Sequence, residues 1–231
     1  MTIKVVTYNI HGGKGTDRER DYSRIGLFLK NQNVDIALIQ EMNVREPSGL
    51  SAREILDIKS DHFSEFIPAP TVSHDDGWYG NAILSRYPVT KTTIIDISKI
   101  GREPRNILEV FIDTPKGPLH VINTHKGLSP SERSVQMRML NELLTKKSEV
   151  PLIVGGDINQ WHAYSGDLKK LNEALNPLKT GPTFPTIMPV FHLDRMWCRP
   201  SNLVQSIKVL KTRETKYYSD HYPLIAELNL P

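Results

Sequence analysis

The stretch Val150-Pro151-Leu152-Ile153-Val154-Gly155-Gly156-Asp157-Ile158-Asn159 decides how the rest of the chain is read. Leu152 to Val154 is a short continuous apolar run, the pattern of a strand covered on both faces. Two glycines then allow a tight turn, and an acid and an amide follow one residue apart. If the strand continues past the glycines, period-two alternation points Asp157 and Asn159 the same way. A carboxylate and an amide at the mouth of a buried strand cost free energy unless something uses them. Alone, the stretch also reads as an ordinary turn, so the other strand ends have to decide.

Upstream lies the clearest helix. Ser129 as N-cap, Pro130 at the first helical position and Glu132 closing a capping box precede Val135, Met139, Leu140, Leu143 and Leu144. Downstream, after the Trp161-His162 loop, Leu168, Leu171 and Leu175 mark a second, shorter helix. At the start, Ile3 to Ile10 is β-branched and strand-like, His11 to Gly15 is a glycine-rich loop, and Tyr22, Ile25, Phe28 and Leu29 fall at helical spacing. Asp35 to Gln40 reads as a buried strand ending on Glu41. Residues 45–60 read as irregular with one short helix, and Phe63 to Ile67 as a strand.

Four strands are predicted in the middle, Tyr79 to Ser85, Val89 to Ile97, Asn106 to Asp113 and Leu119 to Thr124, with Pro115 to Pro118 as a hairpin connection. Three more fall near 190–198, 203–210 and 222–230. Hairpins interleaved with two or three amphipathic helices predict an α/β (α+β) fold of mixed sheets packed together and covered by helices. No repeat or linker-like segment interrupts residues 1–231, so one domain is expected.

The bulk properties narrow the classes. With 39% apolar residues and scattered charge, the chain can bury a substantial core. A net charge of +3 is compatible with a phosphate-bearing substrate but far from the footprint of a DNA-coating protein. The single cysteine, Cys198, excludes an internal disulfide framework and suits a reducing compartment. No apolar run reaches membrane-spanning length and no signal-peptide pattern opens the chain, so a cytoplasmic location is expected.

The strand ends share one alphabet. The first ends at Asn9 and His11, the second at Glu41, and a middle one presents Asn81. Others end at Asn123 and His125, at Asp157 and Asn159, and at Asp194, and Ser219-Asp220-His221 precedes the last. Polar ends gathered on one sheet edge form a site. Gly-x-Ser-x-Gly is absent and Cys198 sits in an apolar strand, which argues against covalent Ser or Cys catalysis. The Gly-x-x-x-x-Gly-Lys-Ser/Thr loop is absent too. Oxygen-rich, cysteine-poor donors favour a hard cation, Mg²⁺ or Mn²⁺, and such an ion beside histidines suits hydrolysis of a phosphate ester.

Thr7-Tyr8-Asn9-Ile10-His11-Gly12, Gln40-Glu41, Gly80-Asn81-Ala82-Ile83-Leu84-Ser85, Asn123-Thr124-His125, Gly156-Asp157-Ile158-Asn159, Leu193-Asp194-Arg195 and Ser219-Asp220-His221 resemble, in order, the successive motifs of the endonuclease/exonuclease/phosphatase superfamily, the deoxyribonuclease-I-like group. The resemblance implies a four-layer αββα sandwich and a Mg²⁺-dependent phosphohydrolase or phosphodiesterase. It implies Glu41 as principal metal ligand with Asn9 beside it and Asp220 near the metal. Asp157 would orient or deprotonate the attacking water, and Asn159 would support the transition state. His221, oriented by Asp194, and His125 would contact the phosphate.

Two departures count against abasic-site DNA repair. His11 stands where those endonucleases carry aspartate, and Met42-Asn43 follows Glu41 where they commonly carry lysine. The Thr183-Phe184-Pro185 and Leu193-Asp194-Arg195 segments look closer to small bacterial members of the group.

His11, Asn81 and Arg105 are the candidate substrate-binding residues. Arg105 suits a bidentate phosphate clamp, with a solvated loop arginine as the competing reading. Trp161 and His162 read equally as substrate wall or as packing. Lys14, Arg18, Arg20 and Arg24, interleaved with Glu19 and Asp21, read as a solvated helix start. The expected substrate is a phosphate ester, with nucleic acid admitted as a partner, and the expected state is a monomer. Phospholipid or small-molecule phosphoester hydrolysis on the same site is the alternative. A lipid reading wants an apolar interfacial loop, and Ile187-Met188-Pro189-Val190-Phe191 is the one stretch of that kind, although it reads as the entry to a strand. A binding protein with a vestigial site is the remaining alternative.

Overall fold

The computed structural model describes residues 2–45, 52–145, 149–162 and 165–230. Part of the irregular stretch expected over 45–60, residues 46–51, lies outside them. Two six-stranded mixed sheets pack face to face. The first has the order β11 (Val204–Val209), β12 (Leu224–Leu228), β1 (Ile3–Asn9), β2 (Ile36–Val44), β4 (Gly77–Ser85), β3 (Glu65–His74). The second runs β5 (Val89–Asp96), β6 (Asn106–Thr114), β7 (Gly117–His125), β8 (Leu152–Asp157), β10 (Asp194–Arg199), β9 (Asn176–Pro177). Helices α1 (Tyr22–Asn31) and α2 (Arg53–Lys59) cover the first sheet, and α3 (Pro130–Leu144) and α4 (Gly166–Ala174) the second.

Three separate apolar clusters make this a four-layer αββα sandwich. Ile25, Leu29, Ile55 and Ile58 pack against Val6, Tyr8 and Ile39 on one outer face. Val5, Leu38, Val110, Val121, Ile153 and Ala226 fill the space between the sheets. Leu140, Leu144, Leu168 and Leu171 cover Ile122, Leu152 and Val154 on the other outer face. The central strands are buried on both sides, which explains why they read as continuous apolar runs rather than alternating ones.

Each sheet is built around one parallel pair joined by a crossover helix. β1 and β2 run parallel with Asn9 beside Gln40, and β7 and β8 run parallel with His125 beside Asp157. β10 is antiparallel to β8 and places Asp194 beside Asp157. β12 is antiparallel to β1, with Leu224 beside Thr7, so the segment before it arrives at the Asn9 end. The polar strand ends therefore meet at one edge of both sheets.

Several boundaries differ from expectation. β3 continues to His74 because it is an edge strand, where Pro68 and Pro70 remove no ladder hydrogen bond. β2 runs past Glu41 to Val44 through an irregularity between Ile39 and Met42. The strand expected near 190–198 begins only at Asp194. Residues 187–190 form a loop pinned by an isolated bridge between Phe184 and Phe191, so the apolar run there does not enter a strand. α5 (Thr215–Tyr218) and the short β9 were not expected at all.

Candidate active site

The backbone turns off regular geometry where the polar ends converge. Among the described residues, His11, Glu41 and Asn159 all adopt positive φ, at 48°, 60° and 51°. A non-glycine residue held there costs free energy that the surrounding fold must supply, and such residues cluster at functional sites. β8 ends at Asp157, so the alternation expected to align Asp157 with Asn159 does not extend that far. The turn does that work instead, with the Asn159 backbone N–H donating to Asp157 Oδ1 at 2.9 Å. Gly156 has φ 153°, and a Cβ there would collide with the carbonyl oxygen of Thr124. The β2 irregularity lets two consecutive side chains serve the interior. Gln40 Nε2 donates to Thr7 Oγ1 and Asn123 Oδ1, and Glu41 Oε1 accepts from Asn9.

Asn9 joins the two sheets. Its Nδ2 donates to Glu41 Oε1 at 2.8 Å and to Asp157 Oδ2 at 3.0 Å. Its Oδ1 accepts the His11 backbone N–H, and its carbonyl accepts from Ser219 Oγ at 2.8 Å. Tyr79 hydrogen-bonds Glu41, and burial together with that carboxylate raises the Tyr79 phenol strongly, so it stays a donor. Asp220 is one-third exposed and sits 3.8 Å from His11 Nδ1.

The second half is a buried proton network. His221 Nδ1 donates to Asp194 Oδ2 at 2.8 Å, and Thr183 Oγ1 donates to the same oxygen at 2.6 Å. His221 Nε2 points toward Asp157 Oδ2, 3.7 Å away, and His125 Nε2 lies 3.6 Å from that oxygen. Burial alone pulls the His221 imidazole down, but the Asp194 and Asp157 charges and the Asp194 hydrogen bond outweigh it and push it up to about 10. His221 is thus a cation at neutral pH. His125 is the opposite case. Burial drives it down to about 4 against the opposing pull of Asp157, so it is neutral and accepts from Asn159 Nδ2 at 3.2 Å. Burial raises the Asp157 carboxyl while His221 and His125 pull it back.

The remaining candidates are distributed as follows. Asn81 is 1% exposed and donates to Asn106 Oδ1 across the sheets at 2.9 Å, and Asn123 donates to the carbonyls of Ile39 and Ala82. These amides tie the two sheet ends together. Arg105 is buried rather than solvated, with Nη1 and Nη2 forked on Glu103 at 2.6 and 3.1 Å and Nε without a partner among the described residues. Trp161 packs on Phe184 and Phe191, and the Phe184 ring lies 4.7 Å from that of His221. Arg20 and Arg24 are paired to Glu54 and Asp17. Thr183 and Tyr79 are the partners that sequence reasoning missed as site residues, because each acts through space on a group whose motif is local.

Among the described residues, one side-chain cluster brings three donor atoms together as a divalent cation would need. Asp157, Asp194 and His221 offer ligand atoms within 4.8 Å of one another. That set fits poorly, since Asp194 Oδ2 already accepts two hydrogen bonds and the protonated His221 has no lone pair to give. Glu41, partly exposed and bonded to Asn9, and Asp220, partly exposed beside His11, are oxygen donors of the kind a hard cation takes while keeping several waters.

The chain resembles known proteins in sequence and in fold. The uncharacterized protein YbhP of Escherichia coli K12 is 29% identical over the whole chain and 97% of its own length. A mannosyl-6-phosphatase of Bacteroides thetaiotaomicron superposes with a TM-score of 0.79 at 19% identity, covering 98% of this chain and 99% of that one. TDP2 of D. rerio complexed with single strand DNA product gives 0.74 at 17% identity, covering 99% of each chain. The Endonuclease/Exonuclease/phosphatase family model matches residues 6–221. The chain belongs to the endonuclease/exonuclease/phosphatase family.

Proposed function

We propose that this protein is a divalent-metal-dependent phosphoesterase that aims water at phosphorus from Asp157, with phosphodiesters as its substrates. The observation that carries the reading is the pairing of a raised, buried carboxyl at Asp157 with a cationic His221 whose Nε2 lies 3.7 Å away. Family membership supports hydrolysis of phosphoesters, and a phosphatase and a protein solved with a DNA product are among the structures of this fold.

Asp157 Oδ2 is the proton acceptor, held on one side by Asn9 Nδ2. Its other oxygen is locked by the Asn159 N–H, so the carboxylate cannot rotate away from the attack line. His221, charged and oriented by Asp194, offers its Nε2–H to a phosphoryl oxygen as negative charge develops there. Neutral His125 and the Asn159 amide complete the polar wall. Glu41 and Asp220 are the residues that would hold Mg²⁺ or Mn²⁺, and a bound ion would supply Lewis-acid polarisation of the phosphoryl oxygen.

Purified protein assayed with and without Mg²⁺ and Mn²⁺ tests this on a chromogenic phosphodiester, a phosphomonoester, oligonucleotides and phospholipids. Turnover that chelation abolishes is expected. Inactivity on every substrate with either ion, or turnover unaffected by chelation, contradicts the reading.

A further inference from the structure

Among the described residues, Arg24, Arg105, Arg133 and Arg195 each bury an Nε that has no hydrogen-bond partner. Three of these guanidinium groups are held through their other nitrogens. Arg24 is forked on Asp17, Arg105 is forked on Glu103, and Arg133 donates to the Leu128 carbonyl. Arg195 has no such partner among the described residues. Burial pulls its guanidinium down from the usual range, and no acid opposes that pull. A cation taken out of water without a partner costs free energy unless a ligand supplies the missing anion.

The strand turns this arginine away from the candidate active site. Asp194 and Arg195 are consecutive on β10, so their side chains leave opposite faces of the second sheet. Asp194 serves His221, whereas Arg195 shares its face with Trp197, which packs in the outer apolar cluster. There Arg195 lines a cavity of about 430 Å³ together with Lys179 and His192.

Among the described residues no acid lines this cavity. Burial and the Arg195 charge pull the His192 imidazole down, Lys211 adds to them, and the Thr180 backbone alone opposes. Both charged groups that His192 feels are therefore cations. Glu173, next to Asn172 on α4, is paired with Lys169. Trp197 Nε1 donates to Asn172 Oδ1 at 2.7 Å, which leaves the Asn172 NH2 group as a further donor in the wall. Pro177 and Leu178 supply apolar surface beside these donors.

A guanidinium, an ammonium and an imidazole together, with no carboxylate between them, are the chemistry that holds phosphate. A bare phosphate ion would leave most of the volume empty, and cavities of this size take whole small molecules. A nucleic-acid strand wants exposed rings to stack on, and the indole in this wall is 1% exposed.

We propose that this cavity is a second binding site, separate from the candidate active site, for a small phosphomonoester whose phosphate takes Arg195, Lys179 and His192 and whose organic part lies on Pro177 and Leu178. A mononucleotide and a sugar phosphate both carry that chemistry. The site stands on the cavity alone and does not rest on the phosphoesterase reading.

Calorimetric titration in the presence of chelator tests it, with adenosine monophosphate, glucose 6-phosphate, inorganic phosphate and adenosine as probes. The proteins are wild type, Arg195→Met, Lys179→Ala at an exposed position, Asp157→Asn and His221→Gln, each checked for folding by circular dichroism. At least one ester is expected to bind wild type, Asp157→Asn and His221→Gln with equal affinity. Arg195→Met and Lys179→Ala are each expected to weaken it about tenfold or more. The ester that binds tighter identifies the source of the phosphate. Inorganic phosphate is expected to bind more weakly than that ester, and adenosine to give no heat. Undiminished binding in both Arg195→Met and Lys179→Ala overturns the proposal. So does ester binding that His221→Gln abolishes and Arg195→Met keeps, which puts the ligand in the candidate active site. Adenosine matching its monophosphate, phosphate matching both esters, or no binding of either ester at millimolar concentration overturns it as well.

Discussion

Asn9 and Asp157 belong to different sheets, and the Asn9 amide spans the gap to the Asp157 carboxylate at 3.0 Å while holding Glu41 at 2.8 Å. One side chain thus couples the proposed water-activating carboxylate to the proposed metal ligand. Replacing it by alanine leaves both carboxylates without that donor. Asn9→Ala is expected to cost about 1–3 kcal/mol in urea unfolding. Its loss of turnover is expected to exceed that of Asn81→Ala, whose amide bonds only between the sheets.

Asp194 is held by Thr183 as well as by His221. Thr183→Val removes the 2.6 Å donor without changing shape and is expected to lower kcat about tenfold or more with little change in KM. Thr183→Ser keeps the hydroxyl and is expected to restore most of kcat. Loss of turnover in the serine variant equal to that in the valine variant contradicts the positioning role.

Stability should depend on pH through the two histidines in opposite ways. The His221 value is raised from 6.5 to about 10, so its contribution is fully present below about pH 6.5 and lost as pH rises toward about 10. The His125 value is lowered to about 4, so stability falls as pH drops from about 6.5 to about 4, where the unfolded chain binds the proton first. Thermal midpoints across that range are expected to lose the alkaline slope in His221→Gln and the acid slope in His125→Gln.

The site was legible because its residues sit on strand ends, where a local motif and its position in the fold are the same thing. Asp157, Asn123 and Glu41 each follow an apolar run that the sequence displays openly. Thr183 was not legible as the clamp on Asp194, because nothing local links residues 183 and 194. The pairing of Gln40 with Glu41 on the interior depends on a strand irregularity that periodicity cannot encode. The sequence pattern stops β3 at Ile67 because prolines mask an edge strand. Apolar composition over 187–190 reads as strand because it stands in for burial, and in the structure Ile187, Met188 and Val190 are exposed.

Lys126 is fully buried, with Met137 Sδ at 2.9 Å from its Nζ, and burial lowers it to about 7 against the pull of Asp167. A lysine so lowered destabilises the fold progressively as pH falls from its ordinary value near 10.5 toward about 7. Lys126→Met is expected to raise stability at pH 7 by about 1–3 kcal/mol. A drop in the thermal midpoint of that variant contradicts this account of Lys126.

Gly156 and Gly155 provide a contrast on one strand. Gly156→Ala forces a Cβ into the Thr124 carbonyl at φ 153° and is expected to destabilise by about 3 kcal/mol or more. At Gly155 the φ is unexceptional and the nearest atoms, Leu38 Cδ2 at 3.1 Å and Thr7 Cβ at 3.3 Å, are side-chain atoms, so Gly155→Ala is expected to cost less in chemical denaturation.

The most direct measurement is single-turnover hydrolysis of a chromogenic phosphodiester with Mg²⁺ or Mn²⁺ by wild type and by Asp157→Asn, matched for folding and metal content. Asparagine keeps the shape and can still accept from the Asn159 N–H, but it cannot take a proton. The account expects the chemical step to fall by about a thousandfold or more. An Asp157→Asn enzyme within tenfold of wild type would contradict the claim that Asp157 drives the attack of water on phosphorus.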